Sequence, residues 1–175
     1  MRLSLLNSLL LALCLVPLAS SATEIQPGLW EISSSNMQVG GQAVPDMQQM
    51  LEQMKNLPPE QRQMMEQMMA RQGVQLGDQG VRICMSEAQT KAQEIPLQDP
   101  NSGCTHEVTE RSAELWKFRF SCPDGEGEGE TRFLSDKEFV TKVKGTFSSD
   151  AGQQRGSMES HARWIAADCG SLQPR

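Results

Sequence analysis

The chain has 175 residues, a formal net charge of −6 and a 38% share of hydrophobic residues. This length suffices for one domain with a hydrophobic core and is too short for two. The acidic balance, without a basic tract that could follow a phosphate backbone, argues against nucleic acid as a partner.

Residues 1–22 have the composition of a secretory signal peptide. Arg2 supplies a positive charge, Leu3–Val16 is an almost unbroken apolar run, and small residues at Ser20 and Ala22 suit a cleavage site. We therefore predict cleavage after Ala22 and an exported, periplasmic protein.

The mature chain is then a single domain over 23–175, and we expect no transmembrane segment in it. The leader itself is short for a membrane anchor, because spanning a bilayer takes about 20 apolar residues. Cys14 lies inside the leader behind Leu13, whereas lipid attachment favours a small residue before the cysteine. We therefore expect Cys14 to be removed with the leader.

The first part of the domain predicts a strand and then two helices. Trp30 and Ile32 alternate with polar neighbours, as on a half-buried strand. Residues 45–73 are rich in Met and Gln, which favour helix, and Pro58 with Pro59 divides the segment. We predict a helical hairpin inserted after the first strand.

The rest of the chain predicts mainly strands. Val81–Met85 alternates, and Ser86 with Gln89 has the spacing of a capping box for a short helix to about Glu94. Five further strands are predicted over 104–111, 113–122, 127–134, 138–147 and 155–166, joined by Gly-, Asp- and Ser-containing turns.

These elements indicate a mainly β (α+β) domain, with a curled antiparallel sheet or partial barrel of about seven strands. The aromatic residues that share one face of the predicted strands would anchor the core or line a ligand site: Trp30, Trp116, Phe118, Phe120 and Trp164.

The cysteines predict two disulfides. Of five cysteines, all but Cys14 remain in the mature chain, and an even number in an exported protein favours pairing. Three pairings are possible. We expect Cys84–Cys104 and Cys122–Cys169, which would clip the short helix to the sheet and tie the last strand to a central one.

Short pieces of this sequence occur in a characteristic order: Pro27–Glu31, Cys84–Ala88, Cys104, Trp116–Cys122 and Arg163–Cys169. Together they resemble the bacterial periplasmic family catalogued as domain of unknown function 3617. The resemblance implies export, a β-rich fold and cysteines at these positions, and it implies no reaction. The Met- and Gln-rich segment resembles an insertion found in some members.

The methionines are the main candidates for a metal site. Thioether sulfur suits Cu(I), so Met64, Met65, Met68 and Met69 could bind copper. The same spacing equally fits helix packing, which we favour, or a groove for a partner or lipid.

Other metal sites are not favoured. The set Cys104, His106, His161 and Cys169 matches no ordinary zinc module, and disulfides would consume its thiolates. We interpret Asp124–Glu130 as a flexible acidic turn because it lacks the ligand spacing of a calcium loop.

No motif for nucleophilic or acid–base catalysis is present in the sequence, which lacks Gly-x-Ser-x-Gly and contains no tyrosine. We therefore expect a non-enzymatic module, without a cofactor, that binds an apolar ligand or a periplasmic protein. The alternative is a protein that handles Cu(I) through its Met-rich helices.

Overall fold

An antiparallel β-sheet, open at both edges, forms the body of the protein in the computed structural model, which describes residues 24–91, 103–150 and 152–174. The predicted leader, the predicted cleavage site and the predicted continuation of the short helix to Glu94 lie outside these residues. The described strands are β1 Gly28–Val39, β2 Gln42–Ala43, β3 Val74–Leu76, β4 Val81–Met85, β5 Thr105–Arg111, β6 Leu115–Cys122, β7 Gly125–Ser135, β8 Glu138–Ser149 and β9 Gly152–Ala166.

The sheet order is β3-β4-β1-β9-β8-β7-β6-β5, and β2 pairs with the end of β1. Every pairing is antiparallel. The predicted mainly β class is confirmed, and the predicted strands are all present. β2 and β3 are additional; with two and three residues they are too short to show an alternating pattern.

The helical insertion is confirmed as α1 (Met47–Lys55) and α2 (Pro59–Arg71). The Asp46 side chain caps α1 by accepting a hydrogen bond from the backbone N–H of Gln49 at 2.9 Å. Pro59 opens α2, where its missing N–H is tolerated. Gly73 follows α2 with φ of 72°, a conformation that glycine adopts readily.

The predicted capping box at the start of α3 (Glu87–Lys91) is also confirmed. The N–H of Ser86 donates to Gln89 Oε1 at 2.8 Å, and the N–H of Gln89 donates to Ser86 Oγ at 3.2 Å. Each side chain thus satisfies a backbone donor that the helix itself leaves unpaired.

The interpretation of Asp124–Glu130 as a flexible turn is wrong. Its glycines and glutamates alternate along β7, and β7 pairs with both β6 and β8. The two-residue period places the glycines on one face of the sheet and the glutamates on the other. This alternation is itself a strand signal, which the high glycine content obscured.

Two disulfides are present, but the predicted pairing is wrong. The structure joins Cys84 to Cys169 and Cys104 to Cys122, with Cα–Cα distances of 5.6 and 4.1 Å. Residues 105 and 121 are partners in the β5–β6 hairpin, so the next residues outward, Cys104 and Cys122, face each other.

The Cys84–Cys169 bond follows from the position of β1 between β4 and β9. Leu29 pairs with Cys84 on one side and with Ala166 on the other. The chain that leaves β9 therefore passes the end of β4, where Cys169 meets Cys84. This contact could not be inferred from the sequence, because the two cysteines are 85 positions apart in the chain.

The core lies at the end of the sheet where β1 begins and β9 ends. Trp30 and Phe139 are fully buried with ring centroids 5.2 Å apart, and Phe133 packs against both Phe139 and Trp116. The predicted anchors Trp30 and Trp116 are thus core residues, while Trp164 is half-buried beside the core.

Each tryptophan also satisfies its indole N–H. Trp30 donates to the carbonyl of Gln26 at 2.9 Å, Trp116 to that of Ser112 at 3.1 Å, and Trp164 to that of Pro27 at 3.0 Å. The large apolar rings can therefore be buried without the cost of an unpaired polar group.

Candidate functional site

A row of hydroxyl groups crosses the inner face of the sheet next to the aromatic core. Thr131, Thr141, Ser160 and Ser34 are successive cross-strand partners on β7, β8, β9 and β1, and all are buried. The hydroxyl oxygens of Thr131 and Thr141 lie 2.9 Å apart, and Ser160 donates to the carbonyl of Thr141 at 3.5 Å. This row marks the boundary between the core and a more open half of the sheet.

The open half contains a cavity of about 650 Å³. Phe118, Gly129, Val143 and Met158 are cross-strand partners on β6 to β9, one step beyond the hydroxyl row, and all line it. Because side chains alternate along a strand, these residues share the inner face with the core. These residues give the cavity an apolar floor, as in most small-molecule sites.

A second cavity of about 730 Å³ adjoins the first. The next cross-strand row lines it: His106, Phe120, Gly127, Gly145 and Gly156. The two cavities share lining residues in β6, β7 and β8, so they are adjacent parts of one trough. We call these two cavities together the inner trough.

Glycine keeps the inner trough open. A methyl group on Gly129 would collide with the ring of Phe118, and one on Gly127 would collide with the ring of Phe120. Each ring therefore occupies the space that a side chain at the glycine of the neighbouring strand would fill. Phe118 is 4% exposed and Phe120 is half-buried, so both predicted anchors line the inner trough.

Curling of the sheet, rather than a covering layer of helices, encloses this face. The main helix–sheet contacts in the described residues are those of α1 with β1 and of α2 with β3. Residues from β5 and β1, Thr109 and Asn36, nevertheless line the same cavity across the intervening strands. A cavity that extends across these strands requires a concave inner face.

The outer face carries charged side chains that pair with one another. Lys144 lies 3.0 Å from Glu128 and Lys117 lies 2.7 Å from Glu110. The hydrogen bond from Lys144 lowers the pKa of Glu128, and the hydrogen bond to Glu110 raises the pKa of Lys117. These exposed pairs add little to stability but keep the outer face polar.

The two histidines lie on opposite faces of the sheet. His161 is on the outer face of β9, and its Nε2 lies 2.7 Å from Glu138 Oε1. His106 faces the inner trough with its ring centroid 6.3 Å from that of Phe120, and burial lowers its pKa.

The structure does not assemble the hypothetical zinc set, because Cys104 and Cys169 belong to different disulfides. Within the described residues, no group of three or more His, Cys, Asp or Glu side chains has the arrangement of a metal site.

The methionines of α2 do not form a packing face. Leu51 of α1 is 4% exposed and anchors the insertion, whereas α2 has no buried residue. Met64 and Met68 are 66% and 59% exposed. The expectation that α2 packs through its methionines is therefore wrong for Met64 and Met68, whose side chains are largely exposed. None of the described helices is both long and apolar enough to span a membrane.

Sequence reasoning missed the hydroxyl row and the glycine floor. For the glycines, a sequence signal was available in the alternation Gly125-Glu-Gly-Glu-Gly129. It becomes interpretable only when the sheet order places these glycines opposite Phe118 and Phe120.

A curled antiparallel sheet with an inner trough and two disulfides thus defines a β-rich domain. The model of a family described as protein of unknown function (DUF3617) matches residues 25–169. The chain belongs to this family, as its sequence resemblance implied.

A relative from Pseudomonas putida, "Uncharacterized protein in lpd-3 5'region", is 54% identical over 121 residues, which cover 69% of this chain and 85% of the relative. No solved structure matches the chain.

Proposed function

We propose that this protein is an exported, non-enzymatic module that binds a small apolar molecule in the inner trough. The single observation that carries the proposal is the cavity beyond the hydroxyl row, floored by Phe118, Gly129, Val143 and Met158. Its volume of about 650 Å³ lies in the usual range for small-molecule sites, about 300–1,000 Å³.

The composition of the floor favours an apolar ligand. Lys142, Lys144, Glu128 and Glu159 also border the cavity. Their side chains alternate to the outer face, where Lys144 pairs with Glu128 and Lys142 with Glu159. Burial of apolar surface contributes about 25 cal/mol per Å², so a ligand that fills the trough gains most of its affinity there.

Two substitutions on opposite faces of β8 test the proposal. Val143→Phe fills the inner trough, whereas Val140→Phe makes the same change on the outer face of β8. We expect N-phenyl-1-naphthylamine to fluoresce on binding to the parent and to Val140→Phe, and its affinity for Val143→Phe to fall about tenfold or more through steric exclusion. Equal affinity for all proteins, or no binding to the parent, would refute the proposal. Thermal unfolding checks that each variant is folded.

Export is tested separately. Full-length protein produced in a Gram-negative host should be recovered from the periplasm without residues 1–22 and with no reactive thiol, because all cysteines of the mature chain are paired. Recovery of uncleaved, thiol-reactive protein from the cytosol would contradict export.

Cu(I) binding by Met64, Met65, Met68 and Met69 is a second candidate function. The exposure of Met64 and Met68 favours it, because thioether sulfur at the surface is accessible to a soft metal ion. Stoichiometric binding of Cu(I) under reducing conditions should disappear when these methionines become leucine. Unchanged binding in the leucine variant would eliminate this candidate.

A further inference from the structure

Met64 and Met68 are the most exposed large hydrophobic side chains among the described residues. They occupy positions i and i+4 of α2 and therefore lie on the same side of the helix. Met65 is 36% exposed, Met69 is half-buried, and Met85 in the core is 5% exposed. The chain thus offers methionines in graded environments, and the most accessible pair lies on one helix.

We propose that α2 is an oxidisable surface, in which Met64 and Met68 accept oxygen from a hydroperoxide while the fold stays intact. The thioether sulfur attacks the terminal oxygen of the hydroperoxide. An S–O bond forms as the O–O bond breaks, and the remainder leaves, after proton transfer, as water or an alcohol. The sulfur loses two electrons, the hydroperoxide gains them, and methionine becomes its sulfoxide.

The structure of α2 explains why the fold tolerates this change. A sulfoxide is polar, so oxidation of a methionine within a core disrupts packing. α2 has no buried residue and its main contact with the sheet is β3, the short edge strand. Oxidation therefore converts an apolar surface into a polar one without burying an unpaired oxygen.

The inference is independent of the inner trough. Neither Met64 nor Met68 lines either cavity, so the oxidised protein should retain its apolar site. It is independent of Cu(I) binding too, because oxygen transfer to a single sulfur needs accessibility, whereas a metal site needs several sulfurs together.

Peptide mapping of the folded mature protein after graded treatment with hydrogen peroxide tests the proposal. Arg62 and Arg71 enclose one tryptic peptide with all α2 methionines, whose fragmentation assigns each sulfoxide. We expect Met64 and Met68 to react before Met69, and at least about tenfold faster than Met85, because access controls oxidation of a thioether. Equal rates, or faster reaction at Met69 or Met85, would overturn the proposal.

A matched pair of variants provides a second test. Met64→Leu with Met68→Leu should remove the earliest oxygen additions, whereas Met47→Leu with Met54→Leu, at half-buried positions of α1, should leave them. Parent protein oxidised only at Met64 and Met68 should keep its unfolding midpoint and its affinity for N-phenyl-1-naphthylamine. Loss of cooperative unfolding at that stage, or undiminished early uptake in the first variant, would contradict the proposal.

Discussion

The hydroxyl groups of Thr131 and Thr141 lie 2.9 Å apart across the β7–β8 ladder, next to the aromatic core. Thr131 is fully buried and Thr141 is 8% exposed. Each hydroxyl therefore depends on the other, or on the neighbouring backbone, for the hydrogen bonds that water would provide outside. The pair separates the aromatic core from the inner trough.

This arrangement predicts a non-additive response to mutation. Thr131→Val alone removes a partner of the buried Thr141 hydroxyl and should lower the free energy of unfolding by about 1–3 kcal/mol. The double variant Thr131→Val/Thr141→Val removes both polar groups at nearly constant volume and should recover much of that loss. Urea unfolding of the two single variants and the double variant measures the coupling, and strictly additive losses would contradict it.

The two disulfides should contribute unequally to stability. Cys84–Cys169 closes a separation of 85 residues and Cys104–Cys122 one of 18 residues. On the chain-entropy model, loss of the first bond costs about 1.4 kcal/mol more than loss of the second. Urea unfolding of Cys84→Ala/Cys169→Ala and of Cys104→Ala/Cys122→Ala compares them. A larger loss in the hairpin variant would show that chain entropy does not control their contributions.

Glu31 holds the turn between β3 and β4. Its carboxylate accepts hydrogen bonds from the N–H of Asp78 at 3.0 Å and of Gln79 at 3.3 Å, and from Arg82 Nε at 3.0 Å. The side chain of Glu31 is only 10% exposed. Glu31→Ala should therefore destabilise the protein by about 1–3 kcal/mol, because three donors lose their acceptor.

Amide hydrogen exchange locates the effect of Glu31→Ala. Protection should fall at residues 77–82 more than in β7 and β8, which Glu31 does not contact. Lys55→Ala provides a control, because the exposed Lys55–Glu52 pair in α1 should contribute little. Uniform loss of protection throughout the sheet would contradict a local role for Glu31.

His106 predicts a dependence of stability on pH. Burial lowers the pKa of His106 in the folded protein, so the unfolded chain binds a proton more readily. The contribution of neutral His106 to stability is therefore complete above the unfolded pKa of about 6.5 and is lost as pH falls below it, towards the folded pKa. His106→Gln should reduce the decline in unfolding midpoint between neutral and mildly acidic pH. An unchanged pH profile in this variant would refute the assignment.

The fold class could be predicted from sequence because its strands carry local alternation. Trp116, Phe118 and Phe120 alternate with charged residues, and Ser86 with Gln89 forms a capping box within four residues. Such signals need no knowledge of the sheet order.

The features that could not be predicted depend on which strands are neighbours. Cys84 meets Cys169 only because β1 separates β4 from β9 by a single strand. The inner trough likewise requires Gly129 to lie opposite Phe118, a register set by the β6–β7 hairpin. The exposure of Met64 was not predictable either, because helical spacing is the same whether or not a partner surface exists.

The central claim is that the inner trough holds an apolar molecule, and native mass spectrometry of protein recovered from cells without added ligand tests it most directly. We predict a non-covalent, solvent-extractable adduct on the parent and on Val140→Phe that is absent from Val143→Phe. The claim would be contradicted if the parent carried no adduct, or if Val143→Phe carried the same one.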